Sequence, residues 1–171
     1  MSDPIDAAGV TVRPTPAQAH LLLHCEPHDA AAIGTRADLA LSPRMLHATT
    51  TGGWSALHLA PDEWLLIGSV AHAASMTAGI EEAGRELPLS LVDISDRFLA
   101  WDIAGSRAEE LLAAGCPVDL AASAFPVGHC SRTLFGKATV MLWRTGEDAF
   151  RLEVARSFGP YVTALLARAA D

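Results

Sequence analysis

The run from Leu91 to Leu120 constrains the fold more than any other part of this chain. Leu89 to Ile94 reads as a strand and Ser95-Asp96 as a turn. Leu99, Trp101 and Ile103 then alternate with Asp102 on a returning strand, as a half-buried strand requires. Ser106 and Glu109 have the S-x-x-E spacing of a capping box, in which each side chain bonds a backbone N–H at a helix start. The helix carries Leu111 and Leu112, and Gly115 can take the left-handed position that ends it. Pro117 prevents continuation. Two antiparallel strands followed by a helix bury one helical stripe on one sheet face, which predicts an α+β fold.

The same order recurs elsewhere. Leu57-His58-Leu59, the turn Ala60-Pro61-Asp62-Glu63 and the strand Trp64-Leu65-Leu66-Ile67 precede a helix carrying Met76, Ile80 and Ala83 on one face. Thr133-Leu134-Phe135 and Thr139 to Trp143 flank Gly136-Lys137, a hairpin signal. After the turn Thr145-Gly146-Glu147-Asp148, Phe150, Leu152 and Val154 alternate with Arg151 and Glu153, the pattern of a half-exposed strand. Ser157 can cap the last helix, Pro160 suits its first turn, and Val162, Leu165, Leu166 and Ala169 share a face. Trp54–Ala83 and Ala138–Ala169 thus read as an internal pseudo-repeat, each with an acidic turn before an aromatic strand. The expected fold has antiparallel sheets with helices packed on one side.

Residues 1–18 read as a loose lead-in, rich in proline and without periodicity, and 19–171 as a single domain. Ala19–Cys25 reads as a strand. Pro27 to Gly34 reads as a short helix stopped by Gly34, and Thr49 to Gly53 as a loop. A length of 171 residues with half of them hydrophobic fits one globular domain that needs no staples.

The formal net charge is −8. Nucleic acid takes most of its binding energy from cationic patches, so it is a poor partner for this chain. An anionic membrane surface is disfavoured for the same reason. No apolar run approaches the roughly 20 residues of a membrane helix. Met1 to Asp6 is acidic, unlike a secretory leader. Cys25, Cys116 and Cys130 are odd in number and widely spaced, which fits reduced thiols and a cytoplasmic location.

The chain contains neither G-x-G-x-x-G nor a phosphate-binding G-x-x-x-x-G-K-[ST]. His20, His24 and His28 have helical spacing, but the first two lie in a predicted strand, too far apart to share one ion. His129 and Cys130 are neighbours on a strand and point to opposite faces, which argues against a nucleophile pair. Cys116 lies at a helix C-terminus, where the dipole raises a thiol pKa. Asp93, Asp96 and Asp102 cluster in sequence, and a turn and two strand positions account for them. No catalytic, cofactor-binding or metal-binding residue is expected.

Leu59-Ala60-Pro61-Asp62-Glu63-Trp64-Leu65-Leu66, Val92 to Leu120, Phe125-Pro126-Val127-Gly128-His129-Cys130-Ser131-Arg132-Thr133-Leu134 and Phe150 to Tyr161 occur in one order. Over roughly residues 54–168 the chain resembles the gamma subunit of heterotetrameric sarcosine oxidase. More distantly it resembles the folate-binding domain of aminomethyltransferases. The resemblance implies a non-catalytic structural subunit beside alpha, beta and delta subunits. Their complex demethylates sarcosine oxidatively to glycine and passes the one-carbon unit to tetrahydrofolate. It also implies that FAD, FMN, NAD, tetrahydrofolate and zinc belong to the partner subunits, with no cofactor in this chain. The alternative is a stand-alone folate-binding protein of one-carbon metabolism. Trp and Arg are enriched at interface hot spots, so Trp64, Arg97, Trp101, Arg132, Trp143, Arg144 and Arg156 are the candidate partner interface. An exposed apolar patch is expected there, containing a Trp beside one of the arginines.

Overall fold

The computed structural model describes residues 3–171. In chain order the strands are β1 (Ile5–Ala7), β2 (Val10–Pro14), β3 (Ala19–Cys25), β4 (Ala48–Thr51), β5 (Trp54–Ala60), β6 (Glu63–Gly68), β7 (Leu89–Asp93), β8 (Phe98–Ala104), β9 (Cys130–Phe135), β10 (Ala138–Gly146) and β11 (Ala149–Ala155). The helices are α1 (Pro27–Ala37), α2 (Ala73–Ala83), α3 (Ala108–Ala113) and α4 (Gly159–Ala170). Among the described residues no helix is long and apolar enough to cross a membrane.

The chain forms two compact units, where the sequence predicts one domain over 19–171. One spans Ala17–Ser95, and the other joins the segment up to Pro16 to Asp96–Asp171. From Ile5 onward the lead-in is therefore not loose. β1 and β2 pair with each other, and β2 pairs with β8, Val12 standing opposite Ile103. Val10 and Val12 are buried there. Sequence reasoning missed them because two short strands offer too few alternations to read.

The unit holding both chain ends has a six-stranded antiparallel sheet in the order β1-β2-β8-β11-β10-β9. One face packs Trp101, Ile103, Val140, Leu142, Phe150, Leu152 and Val154 against Leu111 and Leu112 of α3 and Val162 and Leu166 of α4. Full burial of side chains of this size contributes about 2 kcal/mol each. The Ala17–Ser95 unit has a five-stranded sheet in the order β4-β5-β6-β3-β7. Its core sets Leu21, Leu23, Trp54, Trp64 and Leu66 against Ala30 and Ile33 of α1 and Ile80 and Ala83 of α2. In each unit the helices of the core lie on one sheet face, as the patterning predicts.

Several expected punctuation marks act differently. Gly34 lies inside α1, which runs on to Ala37 and ends at Asp38 in the left-handed conformation (φ 53°). A Cβ on Gly34 would stand 2.7 Å from the Leu39 carbonyl oxygen, so the residue is small for want of space. Thr49 to Thr51 belong to β4, and Gly52 and Gly53, both at positive φ, turn the chain into β5. The capping box does not form. Arg107 occupies the cap position of α3 without a side-chain bond. The entry is instead held by the Arg107 N–H on the Gly9 carbonyl at 2.9 Å and by the Arg107–Glu110 ion pair. Gly115 is not left-handed, and a Cβ there would meet the Phe135 ring at 2.6 Å. Ser157 sits in a 3-10 turn and does not cap α4; Pro160 does lie in the first helical turn.

The pseudo-repeat is present in three dimensions. β5, β6 and α2 match β10, β11 and α4 without a gap, pairing His58 with Arg144, Trp64 with Phe150 and Ala73 with Gly159. Both hairpins shift register at the same place, His58/Ala60 and Arg144/Gly146. Both insert a 3-10 turn before the helix, Val70–His72 and Arg156–Phe158.

Candidate functional site

The seven candidate interface residues separate into three groups. Trp64 and Trp101 are core residues, 1% and 4% exposed, and Trp54 joins them. Strand alternation places them on the faces that carry the helices. The Trp64 indole donates to the Ser42 carbonyl at 3.3 Å, and its ring stacks on His58 with centroids 4.2 Å apart. These two tryptophans cannot serve an interface without unpacking a core. The expected Trp-bearing exposed patch is not built from them.

Arg144 is also internal, only 3% exposed. Its guanidinium donates to the carbonyls of Leu120 at 2.9 Å, Phe125 at 3.1 Å and Gly146 at 3.3 Å, and to that of Glu147. It lies over the Phe150 ring at 4.8 Å and has Glu109 at 3.8 Å. Arg144 thus ties the α3–β9 connection to the β10–β11 turn. It also draws in the glutamate that sequence reasoning assigned to the cap. That connection ends in a turn whose Gly128 adopts φ 87°, with the His129 N–H on the Pro126 carbonyl at 2.9 Å.

Trp143 is half-buried on the face of the sheet opposite α3 and α4, opposite Cys130 in register. Its indole N–H is buried and meets no acceptor among the described residues. Arg132 is exposed on the same face, at the sheet edge.

The third group meets at one sheet end. Arg97 and Arg156 are exposed where β8 begins and β11 ends. Ala155 pairs with Phe98, and one further step of that register sets Arg156 beside Arg97. The Arg156 Nε–H accordingly donates to the Asp96 carbonyl at 3.0 Å. Next to them Phe158 and Tyr161 are 44% and 39% exposed. The Tyr161 hydroxyl accepts the Lys137 N–H at 3.0 Å. Sequence reasoning reached the two arginines and missed Phe158, Tyr161 and Lys137. It sought aromatic anchors among tryptophans on strands, whereas these flank a helix start.

Sequence reasoning also missed a buried ion pair. Arg151 and Glu153 are 7% and 0% exposed, with Nε and Oε1 2.7 Å apart. β11 is buried from Phe150 through Val154, so it is not the half-exposed strand the alternation predicts. Asp102 stands opposite Arg151 in register. Desolvation pushes the Asp102 carboxyl above its ordinary range, against the pull of Arg151.

The thiols are poor nucleophiles. Burial pushes Cys116 and Cys130 up to about 12. Burial, then Asp29, Asp62 and Glu26, takes Cys25 to about 11. For Cys116 burial is the cause, in place of the helix dipole. His20 lies against the Gln18 carbonyl at 3.2 Å, and His24 stands 3.8 Å from Asp62 and 3.6 Å from Glu63. No metal-binding group of three or more His, Cys, Asp or Glu occurs among the described residues. Asp93 accepts bonds from the hydroxyl and N–H of Ser95, which hold its carboxyl below the ordinary range.

The profile of the "Sarcosine oxidase, gamma subunit family" matches residues 24–171. A sarcosine oxidase subunit gamma of Corynebacterium sp. (strain P-1) is 32% identical over 111 residues, covering 65% of this chain and 54% of the relative. The chain spans about half the length of the curated relatives it matches first. A chain in the solved heterotetrameric sarcosine oxidase from Corynebacterium sp. U-96, in complex with pyrrole 2-carboxylate, superposes with a TM-score of 0.87 at 25% identity, covering 97% of this chain and 86% of that one. Glycine cleavage system aminomethyltransferase T from Bartonella henselae shares the fold, with a TM-score of 0.72 at 14% identity over 92% of this chain and 45% of its own.

Proposed function

Because this chain belongs to the sarcosine oxidase gamma subunit family, we propose that it is the non-catalytic structural subunit of a cytoplasmic heterotetrameric sarcosine oxidase. Its partners are then the alpha, beta and delta subunits. The complex demethylates sarcosine to glycine and passes the one-carbon unit to tetrahydrofolate. FAD, FMN, NAD, tetrahydrofolate and zinc are held by the partner subunits. The observation that carries this reading is the extent of the family match, which takes in most of the chain and both units. The buried, high-pKa thiols are consistent with it, since none is poised for attack.

The test is co-expression with the three other subunits. The expected result is a stoichiometric complex that oxidises sarcosine, and an isolated chain that is colourless and inactive. A flavin spectrum or sarcosine-dependent peroxide from the isolated chain would overturn the non-catalytic reading. Failure to co-purify with any flavoprotein subunit would overturn the subunit reading.

A further inference from the structure

One end of the six-stranded sheet gathers cations and aromatic rings. Arg97 precedes β8, Arg156 follows β11, and Lys137 precedes β10. Neighbouring strands lie about 4.8 Å apart, and β8, β11 and β10 are neighbours in that order. Two bonds fix the arrangement, Arg156 on the Asp96 carbonyl and the Lys137 N–H on the Tyr161 hydroxyl. Phe158 and Tyr161 are three residues apart where α4 begins, so their side chains are neighbours. Three cations, Arg97, Lys137 and Arg156, thus stand at this end beside the carboxylate-bearing Asp96. The chain as a whole is strongly acidic.

The other repeat supplies an internal control. There the positions of Arg156, Phe158 and Tyr161 are held by Val70, His72 and Ser75. The same strand, 3-10 turn and helix form there with no Arg, Lys, Phe, Tyr or Trp at any of them, the imidazole of His72 being their one ring. Neither the turn nor the helix start therefore explains the exposed Phe158 or the positive charge beside it, and the hydroxyl bond of Tyr161 does not account for the exposure of its ring. Aromatic side chains next to arginine are the composition of interface hot spots, and cations select an anionic counterpart.

We propose that the surface formed by Arg97, Lys137, Arg156, Phe158 and Tyr161 docks an acidic, partly apolar segment of another subunit of the complex. Partner carboxylates face Arg97, Arg156 and Lys137, and partner apolar side chains cover Phe158 and Tyr161. The inference rests on the subunit reading above and adds the surface and the chemistry of its partner.

Lys137 is the only lysine in the chain, which makes the test specific. Zero-length carbodiimide coupling of the assembled complex, followed by peptide mapping, should join Lys137 to an Asp or Glu of another subunit. Arg156→Glu and Phe158→Ser should each weaken association at least tenfold, with unchanged circular dichroism of the isolated chain. Arg168→Glu, in the last turn of α4 at the far end of that helix, should associate as the natural chain does. Affinity should fall with added salt in the natural chain and fall less in Arg156→Glu. If the natural chain assembles, Lys137 gives no inter-subunit link and both variants bind normally, this surface is wrong and the subunit reading stands. If the natural chain associates with no subunit, both fail. Coupling of Lys137 only to a second copy of this chain, or binding of RNA or anionic vesicles abolished by Arg156→Glu, would equally overturn the proposal.

Discussion

The two ββα repeats use one scaffold with different chemistry at equivalent positions. In the first, His58 precedes the register shift, stacks on Trp64 and has its Nε2 3.3 Å from the Pro61 carbonyl. In the second, Arg144 takes that place, lies over Phe150 and donates to the Glu147 carbonyl. On the strand faces turned from the helices, Leu65 and Ile67 of β6 correspond to Arg151 and Glu153 of β11, and all four are buried. The backbone therefore tolerates either an apolar or an ionic solution at the same strand positions. What differs is the local demand for hydrogen bonds. Arg144 must also satisfy Leu120 and Phe125 of the long α3–β9 connection. At His58 the corresponding α1–β4 connection is held by backbone, through the Leu46 N–H on the His58 carbonyl at 2.7 Å, and the buried Nδ1 of the ring meets no partner among the described residues.

Exchanging residues between the repeats tests this view, and the largest effect should come from half an exchange. Glu153→Ile alone takes the 2.7 Å carboxylate partner from the buried Arg151 guanidinium and should cost about 3–5 kcal/mol. Arg151→Leu alone does the same to Glu153. The double variant Arg151→Leu with Glu153→Ile reproduces β6 and should return to within about 1 kcal/mol of the natural protein. Urea unfolding of the three variants measures the coupling. Additive losses would show that the ion pair is not the unit that matters.

Arg144→His imports the first repeat's residue at the bulge. Imidazole can keep the stack and one turn carbonyl but cannot reach Leu120 and Phe125 as well. Each buried carbonyl left bare costs about 1–3 kcal/mol, so the loss of two should be about 2–6 kcal/mol. Hydrogen exchange should quicken first in residues 116–129. Arg144→Lys should recover little, because a point ammonium lacks the planar fork that serves several carbonyls. Full recovery by lysine would show that charge alone holds the connection.

The residues that read correctly from sequence are those whose neighbours lie close in the chain. Alternation in β8 and β10, the hairpin at Gly136-Lys137 and the repeat itself were legible because period and turn chemistry are local. The buried state of Arg151 and Glu153 was not, because an alternating strand looks the same whether its polar face meets water or protein. The α3 cap misled because Arg107 and Gly9, distant in sequence, meet there. Of the candidate site, Arg97 and Arg156 were legible as cations beside aromatic strands. Arg144 had the same local signature, and only the long connection that folds onto it separates it from them.

A smaller effect separates structural from docking roles at the sheet end. Tyr161→Phe removes the acceptor of the Lys137 N–H and keeps the ring. At an exposed hairpin this should cost about 0.5–1 kcal/mol, read by thermal unfolding. Association should change less than it does with Phe158→Ser, since the aromatic surface remains.

The smallest effects concern two carboxylates whose signs should be opposite. The Asp93 carboxyl is held down by its bonds from Ser95. A depressed folded-state pKa contributes stability above the ordinary aspartate value near about 3.9, which is lost as pH falls through the folded value. Asp102 is pushed up by burial, so the folded state takes up its proton more readily than the unfolded chain. That stability is present below the ordinary value and lost as pH rises through the folded one. Asp93→Asn should therefore destabilise at neutral pH, and Asp102→Asn should stabilise. Both side chains are exposed enough for solvent to screen them, so each change should stay below about 1 kcal/mol. Unfolding free energies between pH 7 and pH 3 should show both differences shrinking as the carboxylates protonate. A stabilising Asp93→Asn would mean that the Ser95 bonds are broken in solution. A destabilising Asp102→Asn would mean that the attraction of Arg151 outweighs desolvation, and that Asp102 works as a third member of the buried ion pair in β11.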